Sequence, residues 1–375
     1  MICSSNYKPL KEAKIASIEK LRRTIDEEER FALFDYSKSL DNILDCNSSF
    51  IPDFKDELIL FCKFFSFDFR TKQYDLMMAN GFIEDLDYHR FLLKEVANCM
   101  IDSKDYVAEK EDVTEDEDFV GLLREFMSSL GLDDLLSEFL DKRRIINYTK
   151  LYDDTRAFIL HNNIDDEAFI CVRDFNNSIS SINTLVHELG HAYDARNSFQ
   201  SLKTKNDYFY ISLLSEIIPY TFERLFVNYL LQNNIYNDEA KKVLQEINYN
   251  TYKYSFLSYV FSLSDPSFLI EHISTTIRGL KIREDVLEQI KNDFSLKELL
   301  NNSQSFNLRG DCKYAYGYIV SLYLMELIND NSMPDFDCIF RRRDGVFDIS
   351  LMEELNINPD SFALLTQKEK QLLKK

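Results

Sequence analysis

With 375 residues and a net charge of -20, the chain is long enough to bury a large interior and too acidic for nucleic acid, whose binding needs a Lys/Arg stripe to displace counterions. Apolar residues make up 45% of it, and Gly and Pro number only 8 and 6, too few for the regular turns of an all-β fold, so a mainly α chain is expected. The seven cysteines are odd in number and never in a CxxC spacing, which reads as reduced thiols rather than disulfides or a zinc knuckle.

Residues 1–20 lack the continuous apolar stretch of a signal peptide. The most apolar window, "LILFCKFFSF" at 58–67, contains Lys63 and is too short to span a bilayer. The cytoplasm is the expected address, with no membrane partner. From residue 10 to about 143, charged and apolar positions alternate at helical spacing, as in "DELILFCKFF" and "FVGLLREFMSSLGLDDLLSEFLDKRR". An acidic run at 109–118 reads as a solvated loop, and Thr114 with Glu117 forms a capping box for the helix that follows. No fixed-period repeat and no Gly/Ser or Pro-rich linker divides the chain, so boundaries are soft: an N-terminal helical lobe over 1–145 and a second lobe over 146–375.

Between Thr155 and Phe175 two short apolar runs, "AFIL" and "AFICV", flank a polar "HNNIDDE", the signal of a hairpin or edge strand. Ser180 or Ser181 then caps a helix whose Ile182, Leu185, Val186 and Leu189 form one stripe. "YFYISLLSEIIPYTFERLFVNYLLQN" reads as a second apolar helix with Pro219 near its start or kinking it, and "YAYGYIVSLYLMELI" at 314–328 as the last long one.

The helix after the strand signals carries "NTLVHELGHAYDARNS", with His187 and His191 four apart. Positions i and i+4 share one helix face, so both imidazoles can reach one ion. Glu188 lies roughly 100° around from His187, close enough to take a proton from a water at that ion without ligating it. Two histidines in an apolar helix also need some partner for their buried nitrogens. A catalytic zinc usually has three protein ligands. The HExxHxxGxxH pattern is excluded, because Asp194 and Asn197 stand where it needs glycine and histidine. A glutamate on a second helix is the other common solution, and Glu216 follows His191 by 25 residues within an apolar segment. Glu223, two helical turns beyond Glu216, is either a carboxylate that orients a histidine through its second nitrogen or an exposed partner of Arg224 or a lysine.

These residues resemble the zinc peptidases of the thimet oligopeptidase and oligoendopeptidase F family. "TLVHELGHAYD" is similar to the family's HExGH helix, and "SEIIPYTFE" to its segment with two glutamates at this spacing, although the Thr-Phe pair falls one position later. "AFICVRDFNNSISSINTLVHELGH" resembles the strand and helix that approach the metal, and the whole likeness covers roughly residues 150–330. It implies a mainly α, two-lobed helical metallopeptidase with a small β-hairpin or sheet beside the HExxH helix. Zn²⁺ would be held by His187, His191 and Glu216, Glu188 would be the general base, and short peptides would be hydrolysed in a groove between lobes.

The family's Tyr-rich helix is resembled by "GDCKYAYGYIVSLYL". The "YGY" match implies Tyr318 as the hydrogen-bond donor to the oxyanion, with Tyr314 one turn earlier as the second candidate. Two departures stand out: Phe306 and Asp311 occupy the places of a family histidine and tyrosine, and the N-terminal part is short. A peptide-binding pseudoenzyme that keeps zinc without turnover is therefore an alternative, as is a metal-dependent hydrolase of other amides. Intact Glu188 speaks against the pseudoenzyme, because a structural zinc has no use for a base beside its ligand.

Overall fold

In the computed structural model the described residues are 4–26, 29–30, 32–33, 36–37, 86–100, 118–142, 144–148, 157–162, 167–173, 175–201, 214–262, 308–327, 333–340 and 349–373. Most are helical: α1 (Ser4–Arg23), α2 (Leu86–Cys99), α3 (Phe119–Ser129), α4 (Asp133–Asp141), α5 (Ile179–Ser201), α6 (Ile217–Asn233), α7 (Asn237–Ser262), α8 (Leu308–Glu326), α9 (Asp337–Phe340), α10 (Ile349–Glu354) and α11 (Pro359–Leu372). The strands are β1 (Ile145–Tyr148), β2 (Ala157–Asn162) and β3 (Glu167–Arg173). The mainly α expectation is met.

The two runs read as a hairpin are β2 and β3, paired antiparallel with Phe158 opposite Cys171. The sheet has a third strand that the pattern did not announce: β1 pairs parallel to β3 with Ile145 opposite Ile170, giving the order β1-β3-β2. Being central, β3 is buried on both faces, which explains its continuous apolar run. Ile170 and Val172 join the main core, whereas Phe169 and Cys171 pack with Ile18 and Leu21 of α1 and Ile146 of β1. Helix α5 lies against β2 and β3.

Helix starts differ from expectation in two places. The capping-box pair Thr114 and Glu117 lies outside the described residues, and α3 is capped by Asp118, whose side chain accepts from the Gly121 N–H at 3.0 Å. Helix α5 begins two or three residues earlier than Ser180 or Ser181 would place it. Ser178 is the cap, its Oγ accepting from the Ser181 N–H at 3.2 Å. Asn177, at φ 59°, turns the chain into the helix from the left-handed region that Asn tolerates. The apolar stripe of α5 is as read, with Ile182, Leu185, Val186 and Leu189 all buried.

One continuous core runs from Leu92 on α2 to Leu365 on α11, so residues on both sides of position 145 contribute to it. Helix α6 is its axis, packing on α5, α7 and α8, while α7 packs in turn on α2 and α8. Twelve residues of α6 are buried, including Arg224. Arg224 donates through Nε to Ser321 Oγ of α8 at 3.0 Å and through Nη1 to Glu369 of α11, tying three helices together. Cys99, Cys171 and Cys338 carry no disulfide, consistent with the odd cysteine count. Among the described residues no helix is long and apolar enough to cross a membrane, and "LILFCKFFSF" lies outside them.

Candidate metal centre

Helices α5 and α6 approach unusually closely where the histidines sit, and Gly190 permits it. A Cβ at that position would stand 2.6 Å from Pro219 Cα and 3.1 Å from Pro219 N, contacts with backbone that cannot swing aside. On the other side of α6, a Cβ at Gly317 of α8 would stand 2.7 Å from Glu216 Cβ and 2.9 Å from Glu216 O. The head of α6 is thus clasped between two helices that each present a glycine, Gly190 against Pro219 and Gly317 against Glu216. The residue is the N-cap of α6 rather than part of its body (φ -95°, ψ -5°), and Pro219 follows in the first turn, where its missing N–H costs no helical bond.

His187, His191 and Glu216 converge. Glu216 Oε2 lies 3.3 Å from His187 Nε2 and 3.5 Å from His191 Nε2, and the three donor atoms are all within 4.8 Å of one another. Two ligands each about 2.1 Å from a tetrahedral ion stand about 3.4 Å apart, and the two separations from Glu216 Oε2 match that spacing. Oε2 is fully buried and lies against the two imidazole nitrogens without a well-aligned hydrogen bond to either. A buried carboxylate oxygen without a donor is costly unless a cation meets it, and here two imidazole nitrogens already frame the place for one. The residues fit a divalent metal with a His₂Glu donor set.

The supporting contacts are equally specific. Glu223 Oε1 is 2.6 Å from His187 Nδ1, and its Oε2 accepts from Asn183 Nδ2 at 3.2 Å. With Glu223 accepting from Nδ1–H, the Nε2 lone pair is turned toward the shared point. Glu223 is therefore the orienting carboxylate rather than an exposed partner of Arg224, which is committed to Glu369 and Ser321. Burial alone would lower the His187 pKa, but hydrogen bonds to Glu216 and Glu223 and their charges raise it from 6.5 to about 10. Burial alone would raise the Glu216 pKa; His191 and Lys313, with the bond from His187, bring it well below the usual carboxylate value. Without metal the His187 ring is thus an imidazolium between two carboxylates.

Glu188, one position on from His187, is 5% exposed. Tyr220 of α6 sets its ring edge-on to His187, with centroids 5.0 Å apart, and stacks on Tyr318 at 3.7 Å. Tyr318 also stacks on Tyr254 at 6.1 Å and is 3% exposed, enclosed between the two rings. Burial, then Glu223 and Tyr254, raise the Tyr318 pKa well above normal; burial, then Tyr318 and Glu216, do the same to Tyr220, so both phenols stay protonated. Tyr314 is only half-buried, its ring 5.0 Å from that of Tyr254 and under the Lys313 ammonium at 4.8 Å. Tyr318 is thus the more deeply buried of the two tyrosines that the "YGY" match ranks. Phe306 lies outside the described residues, as does the Asp311 side chain.

Sequence reasoning missed Asn183, Tyr220, Lys313 and the two contact glycines. Asn183 lies one helical turn before His187, a position that spacing could have suggested. Lys313, whose ammonium pairs with Glu216 Oε1, carries no spacing signal, since it reaches the site from another helix.

No family model matches the sequence, and no curated protein matches it either. Among solved structures the fold is similar to one assigned as an oligoendopeptidase F from Bacillus anthracis str. Ames, at 13% identity and a TM-score of 0.47, covering 98% of this chain and 96% of that one. It is also similar to a PZ peptidase A with an inhibitor, at 12% identity and a TM-score of 0.48, covering 96% of this chain and 71% of that one.

Proposed function

We propose that the chain is a zinc-dependent endopeptidase of short peptides. The observation that carries the reading is the convergence of His187 Nε2, His191 Nε2 and Glu216 Oε2, with the buried Oε2 3.3 and 3.5 Å from the two nitrogens. Glu188 directly follows the first of these ligands in sequence. The resemblance of residues 183–198 and 215–223 to the oligopeptidase motifs supports peptides as the substrate class.

His187, His191 and Glu216 would hold the ion. When bound, zinc supplies a Lewis acid that polarises a carbonyl and makes water acidic near neutral pH. Glu188 takes the proton from the attacking water and passes it to the leaving amine, the work of a general base and then a general acid. Glu223 keeps the His187 ring in one orientation and is itself held by Asn183. Tyr314 and Tyr318 are the phenols available to hydrogen-bond the oxyanion of the tetrahedral state, and Tyr314 is the less buried of the two. The cytoplasm is the proposed address.

A quenched-fluorescent peptide library, assayed with and without chelator and with Glu188→Gln, tests the reading. Cleavage by the wild type should vanish with chelator and return with zinc. Glu188→Gln should keep zinc while hydrolysis falls by at least ~10²-fold to 10⁴-fold, the contribution of general-base catalysis. A wild type that binds peptides in a zinc-dependent way but cleaves none across the library would replace the peptidase with a zinc-dependent peptide-binding protein.

A further inference from the structure

The two oxygens of Glu216 have different partners. Oε2 faces the two imidazoles, while Oε1 is paired with the Lys313 ammonium. The carboxylate is 3% exposed and the lysine side chain 26%. Lys313 lies on α8 one turn before Gly317, the residue whose missing Cβ lets α8 touch Glu216, so one face of α8 supplies both the close approach and the cation. The ammonium also rests over the Tyr314 ring at 4.8 Å, a cation–π contact that holds it in place.

We propose that Lys313 is a positioning residue that restricts Glu216 to one metal-facing oxygen, an inference that rests on the metal-site reading above. A glutamate without such a partner can rotate to present both oxygens to an ion. Here that rotation would pull Oε1 from a charge-assisted hydrogen bond in a mostly buried place, where such bonds are strong. Held to one oxygen, Glu216 would complete a three-ligand set and leave a position for water or substrate, as a catalytic rather than a structural site requires. Lys313 brings its charge on a flexible stem, and the Tyr314 ring under the ammonium supplies the immobilisation that the stem lacks.

Cobalt(II) provides a readout independent of turnover. Full-length protein loaded with one equivalent of Co²⁺ should give the intense visible absorption of a four-coordinate ion, and X-ray absorption should count a single carboxylate oxygen from the protein. In Lys313→Met, Glu216 closes both oxygens onto the ion, so the visible bands lose intensity and the X-ray absorption gains an oxygen. Lys313→Arg keeps a cation on Oε1 and should restore the wild-type spectrum. A Lys313→Met spectrum superimposable on the wild type overturns the proposal. A two-oxygen carboxylate in the wild type does the same, and that measurement needs no variant to fold. Wild-type protein that takes up Co²⁺ no better than His187→Ala overturns the metal site itself, a result distinct from a bound ion whose coordination ignores Lys313.

Discussion

Gly317 on α8 and Glu216 at the head of α6 are in backbone contact: a methyl group on Gly317 would stand 2.7 Å from Glu216 Cβ and 2.9 Å from its carbonyl oxygen. The position of Glu216 in the candidate metal centre is thus set by a helix crossing, not by its own helix alone. Gly317→Ala must push α8 away and take Glu216 Oε2 out of its 3.3 to 3.5 Å relation to the histidines. The expected result is a stability loss of about 1–3 kcal/mol, the usual cost of overpacking, together with weakened zinc binding. Urea denaturation and a zinc competition assay read the two; unchanged zinc affinity would mean that Glu216 does not depend on the crossing.

Ligand and supporting residues should separate by magnitude. His187→Ala or His191→Ala should abolish stoichiometric zinc, because two protein ligands do not complete the site. Glu216→Gln should weaken affinity strongly, and Glu223→Gln by the ~10 to 100-fold typical of residues that orient a ligand. Asn183→Ala, acting through Glu223, should cost less than Glu223→Gln. Competition with a chromogenic chelator measures all five variants, and a larger loss for Glu223→Gln than for Glu216→Gln would reverse their roles.

Zinc binding should release a proton from His187. In the metal-free fold this imidazole stays protonated up to about 10, against 6.5 for the unperturbed group. A pKa raised on folding stabilises the metal-free fold fully below about 6.5, and the contribution is lost as the pH rises through about 10. Metal needs the neutral ring, so below pH 10 the proton competes and affinity should fall about tenfold per pH unit from this residue alone. Glu216, with its pKa well below the usual value, remains a carboxylate through neutral pH and adds no slope there. Calorimetry in buffers of different ionisation enthalpy counts the proton; none released at pH 8 would refute the assignment.

Burial distinguishes the two tyrosines. Tyr314→Phe removes the phenol of the less buried tyrosine and should lower kcat by ~10²-fold with little change in KM, since the oxyanion exists only in the transition state. Tyr318 is enclosed between Tyr220 and Tyr254, so Tyr318→Phe should change kcat less. Steady-state kinetics on one cleaved peptide decides between them, and a larger kcat loss for Tyr318→Phe would restore the order implied by the sequence match.

Arg224 and Glu369 form an ion pair with side chains 2% and 12% exposed. Removing one partner strands the other charge, so Arg224→Met should destabilise the fold by about 3–5 kcal/mol, whereas replacing both by apolar residues should recover most of that. Chemical denaturation of the single and double variants is the check; a single variant as stable as the wild type would show that the pair contributes nothing.

What the sequence determined by itself was local. A 3.6-residue period places His187 and His191 on one face, puts Glu188 beside it, and marks α5 and the buried α6 as helices. The β2–β3 hairpin was legible from two apolar runs around a polar break, but β1 was not, because its partner lies more than twenty residues on and parallel pairing leaves no turn signal. Glu216 was found only because a charge in an apolar segment is conspicuous. Tertiary structure decided the rest: that Glu223 lies on His187 while Arg224 goes to Glu369, that Lys313 takes Oε1 of Glu216, and that Tyr318 is more deeply buried than Tyr314. Each of those depends on how closely and at what register α5, α6 and α8 cross. That distance is set by glycines 190 and 317, whose role lies in the atoms they lack and leaves no periodic trace along the chain.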